Sequence, residues 1–167
     1  MTIVIDAHNH LLGPDKGDGM SQSAEEIITR MDAAGVDISV VFPFNDEKPG
    51  ISFSRSNDLV HIAMKQHPDR LIGYARLDPN YGDAAIREAK RCIELGLIGI
   101  KLHPKAQQFS IDDPTVYKIA EYVADVSPDI PIIFDNGKHA SPNKLIGNLA
   151  AVFPDVTFIL AHMRGGD

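Results

Sequence analysis

Two histidines, His8 and His10, stand two residues apart in the segment Ile5-Asp-Ala-His-Asn-His10. Alternation along a strand puts Asp6, His8 and His10 on one face. Two neutral imidazoles on one face suit a divalent cation, Zn²⁺ first and Mn²⁺ or Fe²⁺ as alternatives, although the same pattern also describes a strand running out into polar loop residues. Later apolar runs end in polar groups too: Asn45-Asp46, Arg76 and Asp78, Lys101 and His103, Asp135-Asn136 with His139, and His162 with Arg164. In a parallel barrel such strand ends meet at one rim, where active sites assemble.

The elements that would position these groups are legible as short β-branched runs alternating with segments of helical period. That alternation signals βαβ units and a parallel sheet. Six runs cover residues 3–10, 36–44, 71–78, 97–104, 130–137 and 156–162. Between the first two, Ser23-Ala-Glu-Glu26 reads as an N-cap with its Glu three positions on, followed by Ile27, Ile28 and Met31 at helical spacing and Gly35 as a stop. Further helices are expected from Ser56 or Asn57 to Gln66, over 83–95, from Asp112-Asp113-Pro114 through Val123, and from Ser141-Pro142 toward Phe153. The connection over residues 11–22 is rich in Gly and Asp and has no period, so a mobile loop near the site is expected.

No GxGxxG or GxxxxGK[ST] turn is present, so the pattern favours a TIM-type α/β barrel over a Rossmann domain. A closed eight-stranded barrel typically takes about 250 residues. The 167 residues here hold about six β/α units in one domain, and the barrel is expected to be incomplete. An open arc would expose apolar edges, from which self-association into a homo-oligomer is expected.

Sixteen Lys and Arg against 23 Asp and Glu give a net charge of −7, with the basic residues scattered. Nucleic acid is therefore not an expected partner. Cys92 is the only cysteine, which excludes an internal disulfide and multi-cysteine metal sites and suits a reducing compartment. No apolar run reaches the roughly 18 residues of a membrane span, and the N-terminus has no secretory pattern. A cytoplasmic protein without membrane contact is expected. His61 and His67 belong to the second helix and its end, and Cys92 to the third; all three read as structural.

Four segments in order carry a resemblance: Ile5-Asp-Ala-His-Asn-His10; Pro68-Asp-Arg-Leu-Ile-Gly73 with Leu77-Asp-Pro79; Gly99-Ile-Lys-Leu-His-Pro104; and Phe153-Pro-Asp-Val-Thr-Phe-Ile-Leu-Ala-His162. Together they resemble the amidohydrolase superfamily, in the amidohydrolase-related branch that includes aminocarboxymuconate-semialdehyde decarboxylase. The resemblance implies a metal-dependent (β/α)8 barrel in which His8 and His10 bind the metal. It also implies that His162 polarises the substrate or a metal-bound water. Three departures stand out. Where the family has His after its fifth strand, this chain has Asp135 in Pro131-Ile-Ile-Phe-Asp135-Asn-Gly137, either as a substitute ligand, with His139 four residues on, or as a loop cap. The family's catalytic Asp belongs to an eighth strand, and Asp167 does not correspond to it. Arg164 lies in His162-Met-Arg-Gly-Gly166, where many relatives have one residue between His and Gly-Gly.

In other branches a lysine ending the fourth strand bridges two metals. In this branch the centre is usually mononuclear, so Lys101 reads as a substrate or packing residue and His103 as a substrate contact. Arg76, Lys101 and Arg164 would form a basic pocket for a small carboxylated substrate, with His139 nearby. The leading expectation is hydrolysis of an amide, ester or lactone by metal-activated water, with His8, His10 and Asp135 as ligands and His162 as the catalytic group. The alternatives are non-oxidative decarboxylation of an aromatic or unsaturated carboxylic acid, and an inactive partial barrel.

Overall fold

The strands over 40–43 and 132–134 form where apolar residues run without interruption and are buried on both faces. The computed structural model describes residues 2–136 and 143–162. His139, Arg164 and Asp167 lie outside the described residues.

In chain order the elements are β1 (Ile5–Leu11), α1 (Ala24–Ala34), β2 (Ile38–Pro43), α2 (Ser54–Gln66), β3 (Leu71–Gly73), β4 (Ala75–Arg76), α3 (Asp83–Glu94), β5 (Ile100–Leu102), α4 (Pro104–Gln107), α5 (Pro114–Val126), β6 (Ile132–Phe134), α6 (Asn143–Val152) and β7 (Phe158–Leu160). All pairings are parallel, in the orders β1-β2-β3 and β4-β5-β6-β7. The sequence predicts one strand over 71–78, and the structure breaks it at Tyr74. The cause is a close approach: a Cβ on Gly99 would stand 2.5 Å from the Tyr74 ring. The two sheets nevertheless form one arc, since Tyr74 N–H donates to the Val41 carbonyl on one side and Ala75 N–H to the Gly99 carbonyl on the other. The result among the described residues is a partial TIM-type barrel of seven short strands, β3 and β4 together filling the place of one of the six runs that the alternation predicts.

The helices begin where their caps place them. Ser23 accepts from the Glu26 N–H while the Glu26 carboxylate accepts from the Ser23 N–H, and Gly35 ends α1 with φ 68°. Asp113 caps α5, with Pro114 in its first turn. The helices pack on the outer faces of the strands around a core that includes Val41, Val60, Leu77, Ile100, Leu102, Ile119, Phe134 and Leu149. Leu102→Ala at this fully buried position would remove about 2–5 kcal/mol.

The loop after β1 differs from the expected open segment. Leu12 and Gln22 exchange both backbone hydrogen bonds at 2.8 Å, and the Lys16 N–H donates to the Asn45 carbonyl. The loop is thus tied to the strand ends. Among the described residues, no helix is long and apolar enough to cross a membrane.

Candidate active site at the strand ends

Strict alternation in β1 fails at one point: its register against β2 shifts between Asp6 and Asn9. Asp6 turns its carboxylate onto its own chain, accepting from the His8 N–H and from the Asn9 side-chain amide, both at 3.1 Å. His8 and His10 still converge, with their Nε2 atoms 3.4 Å apart. The Phe42 ring meets both imidazoles edge-on, each at 4.8 Å between centroids, and Phe44 stacks on His10.

Burial, then the positive charge of Lys101, lowers the pKa of His8 to about 4 and that of His10 to about 3. Both rings are therefore neutral at pH 7, the form that ligates a metal. Two nitrogens bound to one tetrahedral Zn²⁺ at its usual bond length stand about 3.4 Å apart, so the observed separation fits a shared cation. Among the described residues, no group of three or more His, Cys, Asp or Glu side chains is arranged to hold a metal ion. What the described residues do bring together is the histidine pair.

Opposite this pair, the Asp135 Oδ2 atom gathers three nitrogens: His162 Nε2 at 3.0 Å, His103 Nε2 at 3.3 Å and Lys101 Nζ at 4.0 Å. The His162 and His8 rings stand 5.4 Å apart. His103 caps α4, and its Nδ1 accepts from the Ala106 N–H. Its Nε2 is left facing the Asp135 carboxylate. Burial, opposed by Asp135, lowers the pKa of His103 to about 4. Asn136, fully buried, accepts from the His162 N–H and holds that backbone against β6.

Arg76 and Lys101 face each other across the β4–β5 register, 1% and 0% exposed. Burial lowers their pKa values to about 10 and about 8, so both remain charged at pH 7. A cavity of about 500 Å³ opens beside Asp135 and His103, lined also by Asp15, Lys16, Asn45 and Lys105.

Among the residues singled out from the sequence and described here, His8, His10, Lys101, His103, Asp135 and His162 come together. Arg76 adjoins them, and the placement of His139 and Arg164 is outside the described residues. Asn136 is expected from the sequence only as a polar strand end, and the buried roles of Asn57 and Gln107 leave no sequence signal. A buried amide inside a helix or at a strand end leaves no mark in an apolar pattern. His67 and Cys92 are structural as expected, the former pairing with Glu25 at 4.0 Å and the latter buried against Glu88.

The family profile described as Amidohydrolase matches residues 5–167. A 2-amino-3-carboxymuconate-6-semialdehyde decarboxylase of Dictyostelium discoideum is 35% identical over 66 residues, covering 39% of this chain and 18% of that protein. A gamma-resorcylate decarboxylase of Rhizobium radiobacter is 29% identical over 101 residues, covering 55% and 31%. The aligned segments thus span less than a third of these relatives. Among solved structures, 2,6-dihydroxybenzoate decarboxylase from Rhizobium superposes with a TM-score of 0.72 at 18% identity, covering 96% of this chain and 66% of that one. A 5-carboxyvanillate decarboxylase from Novosphingobium aromaticivorans with bound manganese superposes at 0.64 and 21% identity, covering 92% and 56%. At such identities the superpositions show the fold.

Proposed function

Because the chain belongs to the amidohydrolase family, we propose that it carries the catalytic rim of a metal-dependent, non-oxidative decarboxylase of an aromatic or unsaturated carboxylic acid. The observation that carries this reading is the neutral His8–His10 pair facing the His162–Asp135 pair across the rim. The relatives favour decarboxylation over the hydrolysis first expected from the sequence, since the two curated relatives and both superposed structures are decarboxylases.

In this reading His8 and His10 would hold the cation, and Asp135 is the proposed third ligand. A divalent cation there supplies positive charge that orients an anionic substrate. Loss of CO2 breaks one C–C bond and leaves its electron pair on the substrate carbon, which must then take a proton. His162 is the group that delivers it. Its Nε2 shares a hydrogen bond with Asp135, and its side chain is 50% exposed, so water can restore the proton. His103 Nε2 faces Asp135 at 3.3 Å, and Phe42 and Phe44 wall the imidazoles against water.

The test is metal content together with CO2 release. The wild-type chain loaded with Mn²⁺ is expected to hold about one equivalent and to release CO2 from 2,6-dihydroxybenzoate. The double substitution His8→Ala, His10→Ala is expected to abolish both. Unchanged metal content in the double variant would sink the ligand assignment. Ester or lactone hydrolysis without CO2 release would return the reading to hydrolysis.

A further inference from the structure

Arg76 and Lys101 are buried cations that keep donors without a hydrogen bond among the described residues. On Arg76, Nη1 donates to the Pro43 carbonyl at 3.2 Å, while Nε and Nη2 have no hydrogen-bond partner among the described residues. Those two N–H groups lie on one edge of the guanidinium plane and point the same way, the fork that grips both oxygens of a carboxylate. Lys101 Nζ, 4.0 Å from Asp135 Oδ2 and 5.0 Å from the Phe42 centroid, also lacks a hydrogen-bond partner among the described residues. Register pairing of Arg76 with Lys101 puts both on one face of the sheet about 4.8 Å apart, and that face is the one bearing Asp135.

Leaving three charged donors unmet in a protein interior is expensive unless something completes them. A carboxylate matches both donors of the fork with its two oxygens and adds the opposite charge. The guanidinium face is already occupied by the Phe53 ring at 4.8 Å, which leaves the edge as the route of approach.

We infer that Arg76 and Lys101 form a subsite for a carboxylate that the reaction retains, so that the preferred substrate carries two acidic groups. This rests on the decarboxylase reading. The carboxylate that leaves becomes neutral CO2, so its charge disperses in the transition state. Gripping it with a guanidinium fork and an ammonium would stabilise the ground state more than the transition state and slow the reaction. The fork therefore suits the group that stays, and the group that leaves belongs at the His8–His10 end. Phe42 lies between the two, its ring meeting His8, His10 and the Lys101 ammonium.

The experiment is calorimetric binding of benzoate, isophthalate, terephthalate and bicarbonate to the chain, both metal-free and loaded with Mn²⁺. In the metal-free protein, Arg76→Gln and Lys101→Met are each expected to weaken benzoate binding roughly 10- to 100-fold. In the loaded protein at least one dicarboxylate should bind more tightly than benzoate by a similar factor, and Arg76→Gln should erase that advantage. Variants that bind benzoate like wild type, or a loaded protein with no preference for either dicarboxylate, would overturn the subsite. Tighter binding of bicarbonate than of any aromatic acid would assign the donors to a CO2-derived ion instead. If Arg76→Gln does not fold, Lys101→Met and the wild-type preference decide. The metal-free arm involves no turnover, so its outcome is separate from that of the CO2-release assay.

Discussion

Arg76 has a polar cluster on each side, and the two clusters are built on opposite terms. On the outer side, between α2 and α3, the Asn57 side-chain amide donates to the Arg76 carbonyl and accepts from the Arg76 N–H, replacing a neighbouring strand. The same amide donates to Glu88, which also receives Arg91 Nε and Nη2 at 2.8 Å and the Cys92 thiol. On the inner side, Arg76 Nε and Nη2, Lys101 Nζ and His10 Nδ1 have no hydrogen-bond partner. They are four of the five such buried side-chain atoms among the described residues. A matched network fixes geometry and tolerates no addition. A cluster of unmet donors is kept where a ligand completes it. The outer cluster holds the strand so that the inner one can remain incomplete.

Acid should separate the two regions most strongly. His8, His10 and His103 have pKa values pushed down to about 4, about 3 and about 4, chiefly by burial. Between about pH 4 and 6.5 the unfolded chain therefore binds more protons than the folded one, and stability rises with pH across that window. The metal-free protein is expected to be at full stability above about pH 6.5 and to lose it progressively toward pH 4, read as urea midpoints at several pH values. A flat profile would mean that the inner rings are more hydrated than their burial implies.

Removing Asn57 comes next. Asn57→Ala strands the Arg76 N–H and carbonyl in the core, and about 3 kcal/mol of stability should be lost, a fall of roughly 6–12 °C in Tm. Metal content should be unchanged. The smallest effect is expected from Lys101→Met, at an equally buried position: within about 1 kcal/mol of wild type, or more stable, because an ammonium without a hydrogen bond leaves the interior. A large loss there would erase the contrast between the clusters.

Residue types that act through the backbone pattern were the ones legible in the sequence. The Ser23–Glu26 cap, the Gly35 stop and Pro114 marked helix ends correctly because each works within one turn. Lys101 and His103, two apart on a strand, do share a neighbour in Asp135. Where long-range packing decides, the pattern was silent. Tyr74 and Gly99 look like ordinary strand residues, and only their contact explains the break between β3 and β4. Asn57 occupies a helical position that reads as surface, although it serves as a surrogate strand. The bulge that turns Asp6 away from His8 and His10 depends on pairing with β2, which no local spacing encodes.

The paired hydrogen bonds between Leu12 and Gln22 close the first loop at its base, and Gln22 also donates from its side chain to the His10 carbonyl. Lengthening a loop whose ends are already clasped adds little entropic penalty, about 0.6 kcal/mol per doubling. Residues 13–21 are consequently a cassette hung on that clasp: Gly13, Asp15 and Lys16 fix its near side to Asn45 and Asp46, and its exposed side chains can vary without moving His10 or the start of α1. Part of that cassette, Asp15 and Lys16, lines the cavity beside Asp135. Selection for a new substrate could thus act on the wall of the cavity while leaving the chemistry at the strand ends inherited intact.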